Sequence, residues 1–173
     1  MKEPFVGNIE EDTINNKYFR EVIFTGEHEQ LVLMSLKPGE DIGEEVHDID
    51  QFFRFESGQG KAILEGKEYE LKDGVALVVP SGTKHNIINT SNEEPLQLYT
   101  IYSSQQHPED AKFSTKEEAM NEEEHIEKAF DCFKHKAERR KKEKKNKPEE
   151  PEEVSEPDVY DEYVDDLADD ELQ

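Results

Sequence analysis

Residues Gly74 to Asn89, GVALVVPSGTKHNIIN, constrain this chain more than any other stretch. The apolar run from Val75 to Val79 reads as a strand, and it halts at Pro80, which has no N–H to give to a neighbouring strand. Ser81 and Gly82 follow as a tight turn, with glycine supplying backbone angles that a reversal needs. A second strand opens on His85, and the period of two puts Ile87 and Asn89 on the same face. Two strands are thereby dictated, and one imidazole is aimed at whatever that face encloses.

The flanking sequence repeats the pattern. Strand signals run from Phe19 to Thr25, break at Gly26-Glu27-His28, and resume from Gln30 to Leu36. Lys37-Pro38-Gly39 punctuates, and the aromatic run FFRFE ends at Ser57-Gly58. Gly60 to Glu65, a turn at Gly66-Lys67, and Glu68 to Leu71 predict a hairpin; Lys72-Asp73-Gly74 makes the next turn. A loop from Thr90 to Pro95 leads into a last alternating strand, LQLYTIY. The first residues are polar with isolated apolar positions and predict at most a short edge strand, Phe5 to Ile9. Short strands separated by Gly, Pro and Asp turns predict an all-β sandwich or barrel over residues 1–113, not βαβ units.

Beyond the strands the pattern changes. From Thr115 to about Lys145 there is no Gly or Pro, and Ser114-Thr115 followed by Glu117-Glu118 has the form of a helix N-terminus. Ile126, Phe130, Phe133 and Ala137 make a narrow apolar stripe on that helix. The extension, 114–147, becomes strongly basic, with nine Lys/Arg against two Glu in residues 134–147. Pro148 and Pro151 end it, and residues 148–173 carry thirteen Asp/Glu and no basic residue, too much like charge to collapse, so a disordered acidic tail is expected. A solubilising or partner-binding appendage is the natural reading of this charged end. The whole chain has a net charge of −23, which argues against nucleic acid as a partner, since phosphate backbones call for positive surface. A single cysteine excludes an internal disulfide, and no stretch has the length and apolarity of a signal peptide or membrane span; a soluble, cytoplasmic protein without membrane contact is expected.

Partners for His85 lie upstream. Glu45, His47 and Gln51 are two and four residues apart, so in an extended strand all three side chains share a face, with Asp50 and Phe52 on the other. Two imidazoles, a carboxylate and an amide oxygen converging inside a barrel make a donor set for a divalent first-row metal.

These residues also carry a resemblance. The sequence resembles the cupin superfamily, and within it the small single-domain cupins of the mannose-6-phosphate-isomerase-like kind. Gly74, Pro80, Gly82, His85 and Asn89 meet the second cupin motif in full. Of the first motif, Pro38-Gly39 and Gly58 match and His47 falls on the second histidine, while Glu45 stands where the first His belongs and Gln51 where the Glu belongs. The exchange moves one carboxylate from one end of the motif to the other and leaves the formal charge offered to a metal unchanged. The resemblance implies a jelly-roll β-barrel with a mononuclear site at Glu45, His47, Gln51 and His85, holding Mn, Fe or Zn. It also implies a homodimer, to which an outward Phe52 would contribute. For function it implies sugar isomerase, lyase or dioxygenase chemistry on a small molecule. The alternative is a non-catalytic ligand-binding or scaffold cupin whose charged tail engages a protein partner.

The remaining candidates read as structural. His28, His107, His125 and His135 fall in turns or on the helix, where solvated side chains are expected, and Cys132 beside Phe133 reads as a small apolar residue. Phe52, Phe53 and Phe55 read as core and subunit interface. Tyr99 and Tyr102 have opposite parity, so one of them faces the barrel interior.

Overall fold

Alternation of apolar and polar residues becomes nine strands in the computed structural model, which describes residues 3–122. After α1 (Ile9–Asn15) come β1 (Arg20–Thr25), β2 (Gln30–Leu36), β3 (Gln51–Ser57), β4 (Gln59–Leu64), β5 (Lys67–Lys72), β6 (Ala76–Val79), β7 (His85–Asn89), β8 (Leu96–Tyr102) and the short β9 (Lys112–Phe113). All pairings are antiparallel. One sheet has six strands in the order β6-β3-β8-β2-β1-β9, and the other three in the order β5-β4-β7. Non-sequential neighbours within each sheet give a jelly roll, whose interior is filled by the alternate residues of both sheets.

The core follows the pleat. Phe53 and Phe55 from β3, Met34 and Leu36 from β2, and Leu96 and Leu98 from β8 meet Ala62, Leu71 and Ile87 from the smaller sheet. All are buried, and full burial of each large side chain contributes about 1.5–3 kcal/mol. Gly58 sits where β3 hands over to β4, at φ 93°, and a Cβ there would lie 2.3 Å from the Pro95 carbonyl oxygen. Only glycine allows that approach, which is the physical content of its place in the first motif.

One feature departs from the strand reading. No edge strand spans Phe5 to Ile9; Ile9–Asn15 is a helix, with Asn8 as N-cap, Glu10, Glu11 and Asp12 in the first turn, and Thr13 buried. Its C-terminal carbonyls are taken by Gln97, whose Nε2 donates to Ile14 O at 2.5 Å and Asn16 O at 3.1 Å. A seven-residue helix is marginal alone, so this long-range cap from β8 decides its state. At the other end the helix N-terminus read from sequence is present: residues 116–122 are helical. Thr115 Oγ1 accepts from the Glu118 N–H, and the Glu118 carboxylate accepts from the N–H of Ser114 and Thr115, a capping box. Lys116 is tied by a hydrogen bond to Asp41, on the loop between β2 and β3. The apolar stripe from Ile126, the basic run and the acidic tail lie outside the described residues. Among the described residues no helix is long and apolar enough to cross a membrane.

Candidate metal centre

Pro80 ends β6, and the turn beyond it uses Gly82 at φ 77°, a conformation glycine adopts freely. The turn delivers His85 to the first position of β7, where it, Ile87 and Asn89 face inward, as the period of two requires. Upstream, residues 40–45 run antiparallel alongside β7. Glu45 and His85 exchange both backbone hydrogen bonds, N–H to O at 2.9 and 3.0 Å, and Ile42 N–H donates to Ile87 O. Such a pair places the two side chains next to each other on one face.

The route from Glu45 to Gln51 differs from the single extended strand expected. Glu45 lies in an isolated bridge, the chain bends at residues 48–49, and Gln51 opens β3. His47 reaches the site because its carbonyl accepts the Gly82 N–H at 2.7 Å. Asp50 serves the same junction from outside, its Oδ1 accepting the Ser81 N–H at 2.9 Å. Side chains still converge, but through long-range bonds to the Pro80–Gly82 turn and not through strand parity.

Glu45 Oε2 lies 3.2 Å from His47 Nε2 and 3.9 Å from His85 Nε2. One donor atom from each of the three falls within 4.8 Å of the others. Atoms bound at about 2.1 Å to a shared ion lie roughly 3–4 Å apart, so the spacing fits a first-row metal. The His85 ring is oriented by its own turn: Nδ1 is 3.0 Å from the Thr83 carbonyl oxygen, which only accepts, so Nδ1–H donates there and Nε2 faces the cluster. Gln51 Oε1 stands 3.1 Å from that same Nε2. Two acceptor atoms at that distance attract only with a cation, a proton or a metal ion, between or beside them. The chemistry of the donor set therefore fits the group the fold implies.

Around the cluster, Arg20 is 1 % exposed and its Nη2 lies 3.7 Å from Glu45 Oε1. Strand periodicity held Arg20 inside β1, but a lone Arg at a strand start gave no signal of its place. Phe53 packs edge-on to His85 at 6.0 Å, and Tyr102 packs edge-on to His47 at 5.6 Å. Of the two tyrosines, then, Tyr102 faces inward, while Tyr99 lies on the outer face against Phe52.

His107 corrects the expectation of a solvated side chain. It is buried, with Nε2 3.3 Å from the Tyr102 hydroxyl, and its backbone N–H and carbonyl are both bonded to the Gln30 amide. Burial, then the charges of Arg20 and His47, push its pKa down to about 3. The loop carrying it looked like surface because Gln30, the residue that holds it, is 77 positions away. His28 is exposed as expected, and His125, Cys132 and His135 lie outside the described residues. Asn89, the last residue of the second motif, is a structural pin: Nδ2 donates to the carbonyls of Leu36, Lys37 and Glu94, and Oδ1 accepts from Ser91 N–H.

A jelly-roll barrel with a His/Glu cluster at the mouth of β7 defines the class, and comparison with known proteins agrees. Residues 32–102 match the cupin domain family model. The chain is 51 % identical over 113 residues to an uncharacterized protein of Acanthamoeba polyphaga mimivirus, covering 62 % of this chain and 70 % of that one. It is 45 % identical over 130 residues to the uncharacterized protein YrkC of Bacillus subtilis, covering 70 % and 69 %. The crystal structure of BH2720 from Bacillus halodurans superposes with a TM-score of 0.67 at 44 % identity, over 69 % of this chain and 95 % of that one. The chain belongs to the cupin superfamily.

Proposed function

We propose that this cupin is a metal-dependent enzyme holding one divalent first-row ion, Mn, Fe or Zn, at Glu45, His47, Gln51 and His85, and acting on a small oxygen-rich molecule by isomerisation, elimination or dioxygenation. The observation that carries this reading is the convergence of Glu45, His47 and His85 donor atoms within 4.8 Å, with the His85 ring turned toward them by Thr83. A bound ion of this kind supplies Lewis-acid polarisation of oxygens or, as iron, activation of dioxygen. The chain's own part is to orient donors and exclude water. Phe53 and Tyr102 wall the two imidazoles with aromatic edges, and Arg20 lies beside the outer oxygen of Glu45.

The test is elemental analysis of protein purified without chelator or nickel resin, beside the His85→Ala variant. About one ion per chain in the parent, absent from the variant, supports the reading and selects the metal under which sugars and diketones are assayed. No ion in either protein would overturn it and leave a ligand-binding or scaffold barrel, whose charged C-terminal sequence becomes the place to seek a partner.

We infer a homodimer through the outer face of the larger sheet. Support comes from a row in register across it, Val78, Phe52, Ile101 and Leu31, in which Val78 is 60 % exposed. A monomeric mass at micromolar concentration, by light scattering, would remove this.

A further inference from the structure

A carboxylate offers two equivalent oxygens to an ion, whereas an amide offers one, and its other end is a donor that turns cations away. An amide in a ligand position therefore has to be held in one of two orientations. Gln51 is buried, so its NH2 group must also find an acceptor within the protein. Both requirements are met by one residue. Gln51 Nε2 donates to Thr100 Oγ1 at 3.0 Å, which leaves Oε1 beside His85 Nε2 at 3.1 Å. Thr100 is fully buried on β8, one diagonal step from Gln51, since Gln51 pairs with Tyr102 and Phe53 with Thr100.

We propose that Thr100 is a positioning residue: by accepting the Gln51 NH2 it turns the Gln51 oxygen onto the ion and makes a neutral amide a working fourth donor. This rests on the four-donor reading above. Elsewhere in the site the same device uses the backbone, where the Thr83 carbonyl takes His85 Nδ1–H and frees Nε2. Outer partners of this kind set both the orientation and the basicity of the donors they hold.

The experiment is calorimetric titration of Mn2+ and of Zn2+ into metal-stripped full-length chain, with thermal melting to confirm that each variant is folded. Thr100→Val keeps the shape and removes the acceptor, and it is expected to weaken binding by about tenfold to a hundredfold, with Thr100→Ser restoring it to within about threefold. The discriminating arm is the Gln51→Glu background. A carboxylate presents an oxygen whichever way it is turned, so there Thr100→Val should change affinity by less than about threefold. Equal losses in both backgrounds would overturn the proposal, since a residue that only packs the barrel is blind to what stands at position 51. Unchanged affinity in Thr100→Val together with a large loss in Gln51→Leu would overturn it while leaving the four-donor site standing. Parent-like affinity in Gln51→Leu, or no binding of either ion by the parent, would overturn the reading beneath it as well.

Discussion

The two arms of the site are built differently. His85 sits on β7, a strand bonded on one side to β4 and on the other to residues 40–45, and its ring is fixed by a carbonyl two residues away. Its side chain is 1 % exposed. His47 sits in an irregular stretch between an isolated bridge and β3, is 18 % exposed, and is held by one backbone bond to Gly82 and by Asp50 bonding Ser81. One arm makes its geometry locally and the other borrows it. A strand with a proline stop and a glycine turn, paired on both sides, points its side chains by its own period, while a bent segment takes its shape from whatever it docks on.

Removing a donor from the rigid arm should have the largest effect. His85→Ala is expected to abolish metal uptake, from about one ion per chain to none, in a protein with an unchanged far-ultraviolet spectrum. Next is the pin at the end of β7. Asn89→Ala takes the amide partner from the carbonyls of Leu36 and Glu94 and from the Ser91 N–H, while the Lys37 carbonyl keeps the Glu40 N–H, and it should cost about 3 kcal/mol of unfolding free energy in urea titration; a loss under about 1 kcal/mol would mean that water replaces the amide.

Behind the bent arm, His107 makes stability depend on pH. Its pKa is about 3 when folded against 6.5 ordinarily, so between those values the unfolded chain binds a proton that the folded one refuses. The stabilisation is complete above pH 6.5 and drains away as pH falls toward 3. Between pH 6.5 and 4.5 the loss should be about 2 kcal/mol, and His107→Asn should flatten that interval. The smallest effect is expected at the junction of the two arms. Asp50→Ala should cost about 1 kcal/mol in stability and weaken metal binding by no more than about tenfold, because it loosens His47 and leaves His85 in place. A loss as large as that of His85→Ala would erase the distinction between the arms.

Legibility follows the same division. The strand from Gln30 to Leu36, the turn after Pro80 and the inward face of His85, Ile87 and Asn89 were readable because each depends on neighbours within a few residues. The capping box at Thr115 was readable for that reason too. Glu45, His47 and Gln51 do lie beside His85, but not along the single extended strand that their spacing predicts; a bridge to His85, a bend and two bonds to the turn bring them there. The helix at Ile9–Asn15, the burial of His107 and the place of Arg20 were not readable. Each depends on a residue far along the chain, Gln97, Gln30 or Glu45, whose approach no local pattern announces.

Residue order alone was enough for an all-β sandwich or barrel and for the side of the sheet on which His85 stands, because hydrophobic period, turn residues and proline act over short distances, while the jelly roll followed from the resemblance of the motifs. Closure of the two sheets settled the rest: which end of the Gln51 amide turns toward His85, which tyrosine lines the interior, and that an isolated histidine in a loop is held dry. Those outcomes are set by hydrogen-bond partners brought together from opposite ends of the sequence, and a buried polar group takes whichever orientation leaves it paired.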